Sequence, residues 1–357
     1  MAWSLGDVRI DGQVVLGPMS GFTSSAYRSF MTPFGASLCF TEMVSDMGVL
    51  HGMGNTRPFL ESDPASPTAI QLFGSNPDSL AEAASAALKE NPHAIAIDVN
   101  MGCPVEKVLR NGCGCALMRD PGLCGRIIEK VKESVDVPVT AKIRLGWSME
   151  ELTFPQVVEE LQSAGVDCIT VHPRTRADGY SGSPRTDLVA GLGDTMSVPL
   201  IISGNIFSRQ DAALALETTG ADAVMIARGG VGNPFLLTMI DRYLRYGEIL
   251  DYPSVAQQME WCERLSRMIV NEKGEELGMR ILRAITPKFL SGCRYCRDYR
   301  LRLATFEGGI EDLAALLERI SSKMGEQHIC CHAPRYPDGR NGERRPIDRR
   351  SIVNTVN

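Results

Sequence analysis

Eight short apolar runs, each followed by a segment with the apolar spacing of a helix, constrain most strongly how this chain folds. The runs cover residues 14–19, 38–43, 68–74, 94–100, 138–144, 167–172, 198–203 and 222–228. Apolar strands that alternate with helices indicate a parallel sheet covered by helices. Eight such units in about 230 residues predict a (β/α)8 TIM barrel, for which about 250 residues are usual. A doubly wound open sheet is the alternative, although no GxGxxG motif follows the first run.

The strand pattern stops near residue 246, and the rest of the chain has two parts. Helical patterns cover residues 252–324 and include "VAQQMEWCERLSRMIVNEKGEE" and "GIEDLAALLERISSKM". The last residues are rich in Arg, Pro and Gly and poor in apolar side chains, which is typical of a disordered segment. We therefore predict an α/β catalytic barrel at 1–245, a small C-terminal helical domain at 246–332 and a disordered basic tail at 333–357.

Composition narrows the functional class. Of the 357 residues, 44% are hydrophobic, so the chain can bury a sizeable core. No apolar run approaches the roughly 20 residues that cross a bilayer, and the first residues lack a signal-peptide pattern. We therefore expect a cytoplasmic protein without a membrane partner, and no feature implies a protein partner. Eleven scattered cysteines then indicate reduced thiols. Because the net charge is −6, a nucleic-acid partner would have to meet a local basic patch.

Unusual polar residues stand at the ends of the predicted strands. The loops that follow the carboxyl ends of barrel strands carry the chemistry, so these residues should meet at one mouth. They are Gln71, Asn100, Cys103, Lys142, Arg144, His172, Arg174, Arg176, Ser203, Asn205 and Arg228. The last two loops, "SGNIFSRQDA" and "ARGGVGNPF", carry glycines beside predicted helix starts, where backbone N–H groups bind phosphate. This pattern predicts a phosphorylated cofactor.

Lys142 indicates which cofactor this is. It lies within a buried strand run, where an ammonium group needs an anionic or strongly accepting partner. The pyrimidine edge of a flavin is such a partner, because a cation there stabilises the negative charge of the reduced ring. Gln71 and His172, at other strand ends, can add hydrogen bonds to the ring or the ribityl chain. Together these residues predict FMN.

At these residues the chain resembles the tRNA-dihydrouridine synthases, which are FMN-dependent (β/α)8-barrel enzymes with a C-terminal helical domain. The resemblance runs from about residue 14 to at least residue 302, and "NMGCP" with "VHPRTR" is its most specific part. Further matching stretches are "GPMSGFTSSAYRSF", "TEMVS", "IQLFGS", "AKIRLGW" and "MIARGGVGNP". The resemblance implies reduction of the C5–C6 double bond of uridine in tRNA, with NADPH as the usual reductant of the flavin.

The resemblance also implies roles for single residues. Cys103 is implied as the general acid that protonates C5 of uracil while FMN delivers hydride to C6, and an unperturbed thiol is protonated at neutral pH. The target base must leave its stack to reach a barrel mouth. Substrate contacts fall on Asn100, Arg144, Arg174 and Arg176. FMN contacts fall on Pro18, Met19, Ser20, Gln71, Lys142, His172, Ser203, Gly204, Asn205, Ala227 and Arg228.

Two departures from the family pattern affect the expected phosphate site. The chain has "SGN" where the family commonly has "NGD", and "AR" where the family commonly has "GR". Backbone donors survive both changes. The family pattern does not predict which contacts with the cofactor the side chains of Ser203 and Asn205 make. It also does not predict how the Ala227 methyl group fits beside the phosphate.

A basic segment of the helical region predicts the contact with tRNA. Between residues 280 and 302 the basic residues are Arg280, Arg283, Lys288, Arg294, Arg297, Arg300 and Arg302, against one acidic residue, Asp298. Phe289, Tyr295 and Tyr299 are interleaved with them. This composition suits a phosphate backbone with stacking platforms. The alternative is a solvated helix face whose aromatic residues belong to the core.

Four cysteines near the C-terminus form a candidate metal site. Cys293 and Cys296 are a Cys-x2-Cys pair, and Cys330 and Cys331 follow in "HICCHAP". A Cys-x2-Cys pair with distant Cys or His ligands has the composition of a zinc or iron–sulfur site. The alternative is that the pair is buried packing and the later cysteines are incidental.

Three functions remain open from the sequence. The first is a tRNA uridine reductase. The second is an FMN-dependent barrel oxidoreductase that acts on a small molecule, against which the basic segment argues. The third is an RNA-binding homologue that has lost catalysis.

Overall fold

A closed barrel of eight parallel strands forms the centre of the computed structural model, which describes residues 1–52 and 56–329. The strands of these residues are β1 (Ala2–Leu5), β2 (Val8–Asp11), β3 (Val14–Leu16), β4 (Leu38–Phe40), β5 (Val44–Ser45), β6 (Thr68–Phe73), β7 (Ala96–Met101), β8 (Val139–Ile143), β9 (Gly146–Ser148), β10 (Glu151–Leu152), β11 (Cys168–Val171), β12 (Leu200–Ser203) and β13 (Ala223–Ile226). The barrel order is β4, β3, β13, β12, β11, β8, β7 and β6, and β4 pairs with β6 to close it. The predicted barrel is confirmed, because each of its eight strands coincides with a predicted run.

Helices follow the barrel strands and cover the outside of the sheet. In the same part of the chain they are α1 (Ser25–Met31), α2 (Asp46–Leu50), α3 (Arg57–Leu60), α4 (Pro77–Glu90), α5 (Glu106–Leu109), α6 (Pro121–Ser134), α7 (Phe154–Ser163), α8 (Leu192–Thr195), α9 (Arg209–Thr219), α10 (Phe235–Tyr246), α11 (Val255–Lys273), α12 (Glu275–Ile285), α13 (Arg297–Ala304) and α14 (Ile310–Met324). The side chains of Asn76, Asp120 and Ser208 cap α4, α6 and α9 by accepting a backbone N–H three residues on. These caps fix where each helix starts after its strand.

A hairpin of β1 and β2 closes the amino-terminal end of the barrel. Its Trp3, Leu5 and Ile10 are buried and pack in one cluster with Leu38, Ala96 and Ala223, the first residues of β4, β7 and β13. The sequence patterns did not indicate this hairpin, because its two strands are only four residues long. With this end filled, the carboxyl ends of the strands form the accessible mouth.

The helical region after the barrel packs against α1. Glu272 of α11 accepts hydrogen bonds through Oε2 from Ser24 Oγ at 2.8 Å and from the Ala26 N–H at 2.7 Å. The predicted helical region is therefore present, whereas the division at residues 245 and 246 stays a prediction. The tail predicted at 333–357 lies outside the described residues. Within the described part of the chain, no helix is both long and apolar enough to cross a membrane.

Candidate active site at the barrel mouth

A cavity of about 410 Å³ opens at the carboxyl ends of the strands. Its wall contains the following predicted site residues: Pro18, Met19, Ser20, Gln71, Asn100, Cys103, Lys142, Arg144, His172, Ser203, Gly204, Asn205, Ala227 and Arg228. The structure therefore brings together each residue that the sequence assigned to the cofactor, the candidate acid and two of the four substrate residues. The other two, Arg174 and Arg176, do not line the cavity.

The loop after β7 places Cys103 in the cavity wall. Asn100 Oδ1 accepts the backbone N–H groups of Gly102 at 3.2 Å and of Cys103 at 2.9 Å. Arg144 Nε donates to the Gly102 carbonyl at 2.8 Å from the neighbouring strand end. Asn100 and Arg144 thus hold the backbone on which the thiol stands, in addition to lining the cavity. Their predicted contacts with substrate stay predictions.

The Cys103 thiol is mostly buried, with 9% exposure. Burial raises the pKa of this thiol, while the backbone N–H of Val105 and the charges of Arg144 and Lys142 act in the opposite direction. The sulfur is therefore protonated at neutral pH, as a general acid must be before it reacts. The same two cations stand where they would stabilise the thiolate that remains after proton donation.

A buried carboxylate that sequence reasoning missed begins a hydrogen-bond chain to this loop. Asp98, fully buried on β7, accepts Gln71 Nε2 at 2.7 Å and Thr140 Oγ1 at 2.5 Å. Gln71 Oε1 in turn accepts Asn100 Nδ2 at 2.9 Å. Burial raises the pKa of Asp98 to about 6, although both hydrogen bonds and the charge of Lys142 oppose this shift. The chain orients the amides of Gln71 and Asn100, and the only sequence signal for it was an aspartate inside an apolar run.

Lys142 on β8 is half-buried in the wall of the cavity. Burial and the nearby Arg144 charge lower its pKa to about 8, against the attraction of Asp98 and Cys103. An anionic group in the cavity would favour the charged form of this lysine. The structure thus supplies the kind of cationic site that the sequence predicted for a flavin ring.

His172 is held as a neutral imidazole. Arg174 Nη1 lies 2.9 Å from His172 Nε2, and because a guanidinium only donates, Nε2 must accept. Burial and the charges of Lys142, Arg144, Arg174 and Arg228 lower the pKa of His172 well below its ordinary value. The ring proton therefore stands on Nδ1, which leaves one donor for a ligand.

The two arginines that the structure leaves out of the cavity have other partners. Arg174 is fully buried behind the wall, where it also donates to the carbonyls of Ser181 and Gly182. Arg176 pairs with Glu106 at 3.1 Å and lies 4.6 Å from the centre of the Trp147 ring. Arg174 therefore orients the His172 ring through its hydrogen bond to Nε2. The predicted substrate contacts of Arg174 and Arg176 stay predictions.

The loops after β12 and β13 fit a phosphate group. A Cβ atom at Gly229 would lie 2.2 Å from the Ile206 carbonyl, so only glycine allows these loops to approach so closely. Gly229 belongs to a 3-10 turn, Arg228–Gly230, whose first N–H groups lack partners within the turn. Asn205 has φ +53°, a left-handed conformation that asparagine tolerates well. Its Oδ1 accepts Arg174 Nη2 at 3.1 Å and Arg228 Nη2 at 3.2 Å, so the asparagine of "SGN" orders the guanidinium at the mouth.

Apolar and aromatic residues complete the cavity and were not assigned from the sequence. Met43, Phe22, Phe207 and Tyr180 line it. Two guanidinium groups lie close to the centre of the Tyr180 ring, that of Arg144 at 5.4 Å and that of Arg228 at 5.5 Å. A flat aromatic ligand would meet apolar faces here, which agrees with the flavin expected from the polar residues.

A basic surface extends from this mouth to the helical region. Lys288 is exposed, and its Nζ lies 5.9 Å from the centre of the Phe22 ring. Burial of part of the side chain lowers the pKa of Lys288, and the positive charges of Arg300 and Arg228 lower it further. Arg300 of α13 therefore lies close enough to Lys288 and Arg228 for their positive charges to act on one another.

The predicted stacking platforms differ in exposure. Phe289 is 1% exposed and belongs to the core, so its predicted stacking role is wrong. Tyr299 is half-buried and packs against that core. Tyr295 is 90% exposed. Tertiary packing therefore leaves Tyr295 as the candidate platform.

The predicted metal ligands are described only in part. Cys293 and Cys296 lie in the turn that precedes α13, and Cys296 Sγ is 3.0 Å from the Cys293 carbonyl. Cys330 and Cys331 lie outside the described residues. Among the residues that the structure describes, no group of three or more His, Cys, Asp or Glu side chains is arranged to hold a metal ion. The zinc or iron–sulfur site stays a prediction.

Comparison with known proteins identifies the family. A family model described as dihydrouridine synthase matches residues 15–324. This chain belongs to the dihydrouridine synthase family. It is 37% identical over 273 residues to a probable tRNA-dihydrouridine synthase 1 of Synechocystis sp., with 76% of each chain covered. It is 34% identical over 298 residues to tRNA-dihydrouridine synthase B of Pseudomonas aeruginosa, with 83% of this chain and 89% of the relative covered.

A solved structure shares the fold of this dihydrouridine synthase. Histamine dehydrogenase from Rhizobium sp. 4-9 superposes with a TM-score of 0.53 at 14% identity. The match covers 75% of this chain and 50% of that protein. At this identity the likeness shows a shared fold and nothing about function.

Proposed function

We propose that this dihydrouridine synthase reduces the C5–C6 double bond of uridine in tRNA, with Cys103 as the general acid. The observation that carries the proposal is the convergence of the Cys103 thiol, Lys142 and His172 on one cavity at the barrel mouth. Family membership over residues 15–324 supports the reaction class.

The cavity residues suit FMN. The phosphate would bind at the loops 203–205 and 227–229, where glycines bring backbone N–H groups together. Lys142, Gln71 and the Nδ1 donor of His172 would contact the ring and the ribityl chain. When bound and reduced, the flavin supplies the hydride that C6 of uracil receives. We propose NADPH as the reductant, as the family resemblance implies.

Cys103 supplies the proton. Transfer of hydride to C6 and of the Sγ proton to C5 saturates the double bond and leaves a thiolate at Cys103. Arg144 and Lys142 stabilise this thiolate, because both charges favour the deprotonated sulfur. A proton from solvent then restores the thiol. Asn100 and Arg144 keep the sulfur aligned with the bound base through the backbone of residues 102 and 103.

The burial of the Cys103 thiol determines which conformation of the uridine can react. With 9% exposure inside the cavity, Cys103 can reach C5 only after the uridine has left its stack. Lys288 and Arg300 lie beside Arg228 on the adjoining basic surface and would bind the tRNA backbone. We propose that the segment 246–332 acts as the tRNA-binding domain of the enzyme.

The test begins with protein purified without oxygen. Its absorption spectrum should contain flavin bands, and the wild-type protein should form dihydrouridine in unmodified tRNA when NADPH is supplied. Cys103→Ala should keep the flavin spectrum and tRNA binding but lose most of the turnover. Protein without flavin would contradict the enzyme assignment, and turnover of free uracil without tRNA binding would favour the small-molecule oxidoreductase. Full activity of Cys103→Ala would exclude Cys103 as the acid.

A further inference from the structure

Tyr295 combines two unfavourable features that packing does not explain. Its side chain is 90% exposed, although a buried aromatic ring would contribute to stability. Its backbone has φ +59°, in the left-handed region that bulky residues rarely adopt. Strain of this kind persists where the surrounding structure enforces it, and it is concentrated at functional sites.

The turn that carries Tyr295 is anchored on both sides. Cys296, 3% exposed, lies with its Sγ 3.1 Å from the Leu290 carbonyl and 3.0 Å from the Cys293 carbonyl. Gly292, at φ +86°, turns the chain into this segment. Because α13 starts directly after Cys296, the turn is fixed to a regular element at its end. The ring of Tyr295 is thus presented to solvent by a backbone that is already ordered, which lowers the entropic cost of binding.

The surroundings of Tyr295 are basic. Arg294 and Arg297 flank it in sequence and are exposed. Arg300, one turn further along α13, acts on Lys288, and so does Arg228 at the cavity mouth. Cationic side chains thus extend from the active site to the turn of Tyr295. No ring or cation of the described residues lies over the Tyr295 ring itself, so both of its faces are accessible.

We infer that Tyr295 stacks on an unpaired base of the tRNA whose backbone follows this basic surface. The inference rests on the proposed function and adds to it a contact outside the catalytic cavity. A nucleic acid suits the site better than a protein surface, because seven basic residues and one acidic residue occupy positions 280–302. An unpaired base is required, since bases within a helix offer no free face to an aromatic side chain.

The test compares Tyr295→Ala, Tyr295→Phe and Tyr295→Gly in the full-length flavoprotein. The dissociation constant of unmodified tRNA is measured at several salt concentrations, together with kcat and KM for dihydrouridine formation. Loss of a stacked base should weaken binding about 5- to 150-fold for Tyr295→Ala, and the Phe variant should bind as the wild type does. A plot of the logarithm of the binding constant against the logarithm of the salt concentration should have the same slope for Tyr295→Ala as for the wild type. For Arg297→Gln the magnitude of this slope should fall by roughly one, which corresponds to the loss of one phosphate contact. The value of kcat at saturating tRNA should not change.

Tyr246→Ala is the matched control. Tyr246 is 66% exposed, and an arginine, Arg242, lies 4.9 Å from the centre of its ring. It ends α10, beside Arg245, which approaches Gly12 at the amino-terminal end of the barrel. Its loss should leave tRNA binding unchanged. Tyr295→Gly separates binding from folding, because glycine accepts φ +59° without strain. This variant should melt no lower than the wild type and still bind tRNA weakly.

Three outcomes overturn the inference alone. Wild-type affinity in Tyr295→Ala would exclude stacking, and equal losses in the Ala and Phe variants would assign the effect to the hydroxyl group. A lower melting temperature in Tyr295→Gly with unchanged binding would make the residue structural. Failure of the wild-type flavoprotein to bind tRNA would instead overturn the proposed function, and the inference with it. Weakened tRNA binding by Tyr295→Ala, together with an active wild-type enzyme, supports both the inference and the proposed function.

Discussion

Replacing Asp98 by asparagine should stabilise the folded protein at neutral pH. Asp98 is fully buried and accepts hydrogen bonds from Gln71 Nε2 and Thr140 Oγ1. The carbonyl of an asparagine can accept the bond from Gln71, and its amide can donate to the Thr140 hydroxyl, since a hydroxyl both donates and accepts. The substitution therefore removes the buried charge and keeps the hydrogen-bond chain that orients Gln71 and Asn100.

The size of the effect follows from the pKa of Asp98. Burial raises this pKa from 3.8 to about 6, so the folded state holds the proton more tightly than the unfolded state. The stability gained from protonation is present below pH 4 and is lost as the pH rises through 6. At about 1.36 kcal/mol per pKa unit, the loss is about 1 kcal/mol at pH 4.5, about 2 kcal/mol at pH 5.5 and about 3 kcal/mol at pH 7.5.

Urea unfolding of the wild type and Asp98→Asn at these three pH values measures the difference. The free energy of unfolding of the variant should exceed that of the wild type by about 3 kcal/mol at pH 7.5 and by about 1 kcal/mol at pH 4.5. Asp136→Asn, at an exposed aspartate between α6 and β8, is the control and should leave the pH dependence of the wild type unchanged.

Two results would refute this reasoning. A difference between wild type and Asp98→Asn that is the same at all three pH values would show that the buried charge is not its source. A variant less stable than the wild type at pH 7.5 would show that asparagine breaks the hydrogen-bond chain. The variant has a second consequence, because Asp98 raises the pKa of Lys142. Without that carboxylate Lys142 should lose its proton at lower pH, so flavin retention should weaken at a lower pH than in the wild type.

Three further substitutions test other parts of the site. Gly229→Ala should reduce the flavin content of the purified protein, because its Cβ would lie 2.2 Å from the Ile206 carbonyl; normal flavin absorbance would contradict the assigned phosphate site. Asn100→Ala leaves the buried N–H of Cys103 unpaired, at about 1–3 kcal/mol, and also removes the bond to the half-buried Gly102. Urea unfolding should show this loss, and kcat should fall more than KM changes; unchanged kcat would remove Asn100 from the alignment of Cys103. Metal analysis of anaerobically purified wild-type protein should find either iron with sulfide or zinc, and the Cys296→Ser variant should lack that metal. A wild-type protein without these metals would show that Cys293 and Cys296 only contribute to packing.

The alternation of apolar runs with helical segments was enough to predict the barrel. Continuous apolar strands are buried on both faces, and that requirement leaves a pattern in the sequence. The position of a residue at a strand end also predicts its place at the mouth, because parallel strands share one carboxyl edge. For this reason Gln71, Lys142 and His172 could be assigned to one cavity before their contacts were known. The hairpin of β1 and β2 could not be predicted in this way, since its strands are too short to show a period.

Only the tertiary structure decided which polar groups meet. The pairing of β6 with β7 places Gln71 opposite Asp98, and closure of the barrel determines that the aspartate has no access to water. The spacing of residues in the sequence does not indicate how deeply a side chain is buried, so the sequence alone could not distinguish Arg174 from a residue that lines the cavity. The same limit applied to Phe289 and Tyr295, which share one basic segment but lie in the core and in solvent. Local sequence determines where strands and helices form, whereas burial and hydrogen bonding depend on residues that are distant along the chain.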